Sequence, residues 1–203
     1  MGVNLVKGQK VNLQKSDGGT LKTVVVGLGW DEAQPQKSGG LLGSLFGASK
    51  TQNIDCDASA FACVSGKVVS ASDIVYFGNL KHSSGAIQHM GDNLTGAGNG
   101  DDEQILVDLQ SIPQNYDKLV FVVNIYQARE RNQHFGMIQN AFIRIVDADN
   151  HQELCRYNLS DNYNGMTAMI FGEIYRHNGQ WKFNAVGQAT TDNDIKSLAG
   201  RFS

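Results

Sequence analysis

The fold is decided by Ala168-Met169-Ile170-Phe171-Gly172-Glu173-Ile174-Tyr175-Arg176-His177-Asn178-Gly179-Gln180-Trp181-Lys182-Phe183-Asn184-Ala185-Val186-Gly187. Two runs rich in β-branched and aromatic residues, 168–176 and 181–187, flank Asn178-Gly179. Asn-Gly is the dipeptide that best tolerates the positive φ angles of a two-residue hairpin turn, so the stretch reads as two antiparallel strands. Working outward, runs of the same kind recur at 21–26, 73–77, 104–109, 119–126, 140–146 and 154–158, bounded by Gly, Asn, Asp or Ser. Ile105, Val107 and Leu109 alternate with Gln104, Leu106 and Asp108, whereas Phe142 and Ile143 lie in a run too apolar for a one-sided strand. Ser65-Gly66, Ser84-Gly85 and Asp147 to Asn150 supply further turns. Many short strands without long helical patterns between them predict an antiparallel β-sandwich, and no internal repeat is present. Thr191-x-x-Asp194 resembles a capping box, and Ile195, Leu198, Ala199 and Phe202 recur at helical spacing, so a short helix is expected over 191–203.

The chain has 203 residues, 41% hydrophobic and 18% charged, which suits one globular domain over 1–203 and excludes a charge-rich disordered chain. Its 23 Gly and 2 Pro give many permissive turns without a collagen period. Net charge is -3, so no positive field draws in a phosphate backbone, and nucleic acid is not an expected partner. No apolar run approaches the ~18 residues of a membrane span, and residues 1–7 lack the pattern of a secretory signal. Val6 also breaks the myristoylation pattern. Cys56, Cys63 and Cys155 are odd in number and form no C-x-x-C pair, which fits a reducing cytoplasm better than a disulfide framework or a thiolate zinc site. Asp31 to Asn53, with Pro35, four glycines, Leu41, Leu42, Leu45 and Phe46, reads as a long Gly-rich loop that either folds its leucines under the domain edge or inserts them into a partner or membrane surface.

The chemistry concentrates in Gly91 to Glu103. Asp92, Asp101, Asp102 and Glu103 lie there without a Lys or Arg among them. Two carboxylates 5 Å apart repel by about 3 kcal/mol at an effective dielectric near 20, and a hard divalent cation relieves this. Calcium accepts about 6 to 8 oxygens in flexible geometry, including carbonyls that Gly96, Gly98 and Gly100 let the chain turn inward. Asp92 and Glu103 have EF-hand end spacing, but Leu94, Gly96 and Ala97 fill the positions of two ligands and the required glycine, so that template fails. Asp55 and Asp57 form a second acidic pair at strand spacing. On composition alone, a calcium site and a solvated acidic loop both stand. The glycine patterns at 27–29 and 96–98 complete no dinucleotide fingerprint, the five histidines show no metal-ligand spacing, and G-x-S-x-G is absent.

Six segments together carry a resemblance: Gly27-Leu28-Gly29-Trp30-Asp31; Asp55-Cys56-Asp57-Ala58-Ser59-Ala60-Phe61; the loop Gly91 to Glu103; Asn140 to Asp147; Ala168 to Glu173; and Trp181 to Gly187. They resemble the TerD family of tellurium-resistance and stress proteins over nearly the whole chain. The resemblance implies a calcium-binding β-sandwich of bacterial cytoplasmic stress responses, with no established enzymatic activity. It places the calcium ligands among Asp55, Asp57, Asp92, Asn93, Gly96, Asp101, Asp102 and Glu103, with Asp31 as a weaker candidate. Calcium is thus the expected cofactor, and protein partners of a stress-response complex, membrane-associated ones included, are the expected company. The runner-up is a metal-dependent hydrolase or tellurite-handling reductase, and a purely structural calcium role is the third reading. Two features depart from the family pattern: Cys56 stands where Leu is more usual, and the 31–53 loop is longer than typical. Strand alternation at Asp55-Cys56-Asp57 turns the thiol away from the two carboxylates and toward the core, where it would pack as a small side chain rather than act as a nucleophile.

Overall fold

A computed structural model describes residues 2–15, 17–32, 54–92 and 100–203. The decisive hairpin is β11 (Ala168–His177) and β12 (Gln180–Thr190), paired in antiparallel register down to His177 and Gln180. Asn178 and Gly179 both adopt positive φ, 52° and 75°, as the two-residue turn requires. The remaining strands are β1 (Val3–Leu5), β2 (Lys10–Asn12), β3 (Thr23–Glu32), β4 (Cys56–Cys63), β5 (Ile74–Val75), β6 (Ile87–Asp92), β7 (Glu103–Asp108), β8 (Lys118–Ile125), β9 (Ile138–Asp147) and β10 (Glu153–Asn158). They form two six-stranded sheets, β1-β10-β9-β3-β7-β6 and β2-β12-β11-β8-β4-β5.

Leu28, Ile105, Phe121, Ile143, Phe171 and Phe183 are fully buried in one core cluster, and Ile105 and Val107 point inward as their alternation demands. The too-apolar strands are explained by cover on their outer faces. Phe61, Val120, Val122 and Ile170 form a second cluster under the C-terminal helix α1 (Ile195–Ala199), whose Leu198 is fully buried. Phe142, on the outside of the first sheet, lies under the guanidinium of Arg156 at 4.0 Å.

Four expectations need correction. The sandwich is not wholly antiparallel, because β1 joins β10 in parallel at the sheet edge. The strand expected over 73–77 shrinks to β5, because Asp73 closes a capping box with Ser70 and holds 71–73 in a 3-10 turn. The helix begins later than expected: Asp194, not Thr191, is its cap, accepting a hydrogen bond from Ser197 N–H at 2.6 Å, and 200–202 continue as a 3-10 turn. The edge strands β1, β2 and β6 were not expected; the first two have only three residues each, and short edge strands carry little pattern. Of the long loop expected over 31–53, only Asp31 and Glu32, which end β3, lie within the described residues.

Candidate functional site

Strands β3 and β7 bring the acidic segment against the first sheet. Leu28 pairs with Glu103, and Asp102 N–H donates to Leu28 O at 2.8 Å, so residues 101–103 run alongside 27–30. Asp92, the last residue of β6, pairs with Glu103 from the other side. The carboxylates then separate by environment.

Asp101 lies over Gly27 on the outer face of the first sheet. Arg144 of β9 grips it with two hydrogen bonds, Nε to Oδ1 at 2.7 Å and Nη2 to Oδ2 at 3.0 Å, and Gln104 Nε2 adds a third at 2.9 Å. A Cβ on residue 27 would fall 2.2 Å from this carboxylate, so the site depends on glycine there. Burial costs Arg144 less than Asp101 returns, and the guanidinium is held above its ordinary pKa chiefly by that hydrogen bond.

Among the described residues, no cation grips Asp102 in this way. Its Oδ2 accepts the Trp30 N–H at 2.6 Å. Burial is the main force raising its pKa; the Trp30 hydrogen bond opposes this, and the charges of Asp31, Asp101 and Glu103 push the same way as burial. Asp31, exposed at the end of β3, accepts a hydrogen bond from Asn140 Nδ2 at 2.8 Å.

Glu103 faces into the sandwich. Its Oε2 accepts the Ala58 N–H of β4 at 2.6 Å, tying one sheet to the other, and meets His89 Nε2 at 3.2 Å. Gly91 N–H donates to His89 Nδ1 at 3.1 Å, so Nδ1 is the accepting nitrogen and Nε2–H is left to donate to Glu103. Asp55 is exposed and 3.7 Å from Arg131 Nη1. Asp57 faces outward from the second sheet, opposite Asn124. Asn93 and Gly96 lie outside the described residues.

Cys56 turns inward as the alternation predicts and packs in the core. Burial, followed by the charges of Asp57, Asp55, Glu103 and Asp102, pushes its thiol well above the ordinary range, the opposite of what a thiolate nucleophile needs.

Carboxylate oxygens, among them the Asp102 carboxyl whose pKa is raised by burial and then by neighbouring anions, fit a hard cation such as calcium. Asp101 and Glu103 already serve Arg144 and the Ala58 N–H. Among the described residues, no group of three or more His, Cys, Asp and Glu side chains gathers closely enough to hold an ion by itself. The absence of Lys and Arg from 92–103 therefore did not mean an uncompensated cluster: Arg144 reaches Asp101 from β9, 43 residues away in sequence.

A second buried network joins His82 to Asp73 (3.3 Å) and to Ser84 Oγ (2.7 Å), with the Tyr116 hydroxyl donating to Asp73 at 2.8 Å. Ser84 N–H donates to the ring nitrogen of His82, and Ala86 N–H donates to Ser84 Oγ, so the serine and histidine organise a turn.

Comparisons with known proteins agree with this frame. A family profile described as TerD domain matches residues 1–202. The chain is 51% identical over 202 residues to "Stress response protein SCP2" of Bacillus subtilis, covering 100% of both chains. It is 46% identical over 189 residues to "Tellurium resistance protein TerD" of Serratia marcescens, covering 93% of this chain and 91% of that one. A solved homologue of telluride resistance protein (TerD) from Streptomyces coelicolor, SCO6318, shares the fold with a TM-score of 0.61 at 22% identity, over 89% of this chain and 96% of that one. The matches over essentially the whole length establish that this chain belongs to the TerD family.

Proposed function

We propose that the protein is a calcium-binding, non-enzymatic module of a bacterial stress response of the tellurite-resistance kind, acting in the cytoplasm through calcium-dependent association with protein partners. The observation that carries this reading is the contrast within the acidic segment: Arg144 neutralises Asp101, while Asp102 has its pKa raised first by burial and then by the charges of Asp31, Asp101 and Glu103. The names of the relatives, a tellurium resistance protein and a stress response protein, support the physiological setting.

Asp102 and Asp31 would hold the ion, with Asp55, Asp57, Asp92, Asn93 and Gly96 as further donors, and calcium would supply the positive charge that neutralises this end of the sandwich. Asp101 and Glu103 act one layer back, fixing the acidic segment to β9 and β4. The buried, disfavoured thiolate of Cys56 supports a binding role over a redox one. No helix among the described residues is long and apolar enough to cross a membrane.

Thermal unfolding with added calcium tests this. Binding to the folded state alone adds about 2.7 kcal/mol at a hundredfold excess over Kd. Magnesium, which demands tighter octahedral geometry and keeps its waters, should raise the melting temperature less. Equal shifts with both ions, or none with either, would remove the calcium reading. Capture of partners from a cell extract should change on chelation.

A further inference from the structure

The outer face of the second sheet carries a pocket of about 430 Å³ between β4, the segment after β8 and the start of α1. Its floor holds Ser59, which is fully buried and whose Oγ has no hydrogen-bond partner among the described residues. Ser59 shares the outward face of β4 with Asp57, so the hydroxyl is directed into this pocket and away from the inter-sheet core. An orphan buried hydroxyl costs about 1 to 3 kcal/mol, which is the mark of a group awaiting a ligand or water.

The lining is acidic and aromatic. Asp57, Glu130 and Asp194 bring carboxylates, no Lys, Arg or His lines the pocket, and Phe77 and Tyr126 are 60% and 42% exposed. Arg131, close to the rim residue Tyr126, is drawn aside onto the Tyr126 ring at 4.9 Å and toward Asp55 at 3.7 Å. Gln127, at φ 51°, turns the chain along the rim.

We propose that this pocket binds an alkylammonium group, a primary amine on an aliphatic stem. An ammonium has three N–H donors and no acceptor, which suits a floor of acceptor groups from Ser59, Asp57 and the half-amide of Asn124. The aromatic walls favour an organic stem over a hydrated metal ion, since rings attract a desolvated cation and cover methylenes.

The same group comes from two sources, a free diamine or a lysine side chain of a protein. Titrations of the full chain followed by amide NMR shifts, with calcium chelated because Asp57 is shared with the calcium reading, would use cadaverine, an acetylated lysine methylamide, and 1-pentanol as the uncharged control. Both amines should saturate with shifts centred on Ser59, Asn124 and Tyr126, and pentanol should not. A clear preference for either amine supports the proposal and identifies the source. Ser59→Ala removes only an orphan hydroxyl, keeps the fold, and should weaken amine binding roughly tenfold. Glu130→Gln, a change on an exposed loop, should weaken it several-fold. Absence of saturable shifts, equal response to pentanol, or undiminished binding by Ser59→Ala would overturn the proposal. Calcium affinity, measured separately, is unaffected by any of these results.

Discussion

Asp101 and Asp102 are chain neighbours just before β7, yet the first is gripped by Arg144 and Gln104 over Gly27 while, among the described residues, the second takes the Trp30 N–H and faces the charges of Asp31, Asp101 and Glu103. Both precede β7, where the chain has not yet taken up strand alternation, and the neighbouring strands decide what each meets. The first becomes part of the scaffold. The second is the place where added positive charge changes most. Acidic residues in a run are therefore not interchangeable, and the comparison separates substitutions that should cost stability from those that should cost ion binding.

The largest loss should follow Asp101→Ala, which strands a half-buried guanidinium. Removing one partner of a buried pair costs about 3 kcal/mol at the low end of the usual range, and Arg144 retains Glu153 Oε2 at 3.4 Å. Chemical denaturation should show this, and the loss should shrink when Arg144→Met is added, as a coupled pair requires. Gly27→Ala approaches the same pair from below; by crowding the carboxylate it should cost about 1 to 3 kcal/mol. A change in stability under about 0.5 kcal/mol for both would contradict the scaffold role of Asp101.

Next comes Glu103→Ala, which leaves the Ala58 N–H without its acceptor and should cost about 1 to 3 kcal/mol. Glu103→Gln keeps an acceptor oxygen and should cost clearly less. A similar penalty for both would mean that charge, rather than the cross-sheet hydrogen bond, is what Glu103 contributes.

The smallest effect is expected at the helix cap. Asp194→Ala should cost about 1 kcal/mol at neutral pH. The Ser197 N–H holds the Asp194 carboxyl below its ordinary pKa in the folded protein. This stabilisation is complete above the unfolded-state pKa and is lost as the pH falls through the lower folded-state value, so the two proteins should converge in stability in acid. A penalty that persists unchanged there would assign the effect to packing.

Much of the sandwich was legible because its signals are local. Asn178-Gly179 demands one turn, and the alternation of Ile105 and Val107 assigns one face. The acidic segment was legible as chemistry for the same reason. What escaped was set by pairing across the sheets: Arg144 is 43 residues from Asp101 and Ala58 is 45 from Glu103, and each meets its partner only because β9, β3 and β7 lie side by side and β4 faces them. No count of charges within 92–103 reveals that Arg144 neutralises Asp101. The helix start failed for a related reason, since Thr191 and Asp194 are both acceptable caps and only the packing of Leu198 on the sheet selects the later one.

The most direct test is calorimetric titration of calcium into the wild-type protein, Asp102→Asn and Asp101→Asn, each verified as folded. The wild type should bind saturably. Asp102→Asn should lose roughly tenfold or more in affinity, because ligand charge sets calcium affinity, and its calcium-free form should be as stable as the wild type or slightly more so. Asp101→Asn should fall mainly in stability and keep most of its affinity. No saturable heat with the wild type, or an affinity unchanged by Asp102→Asn, would contradict the assignment of this end of the sandwich to calcium.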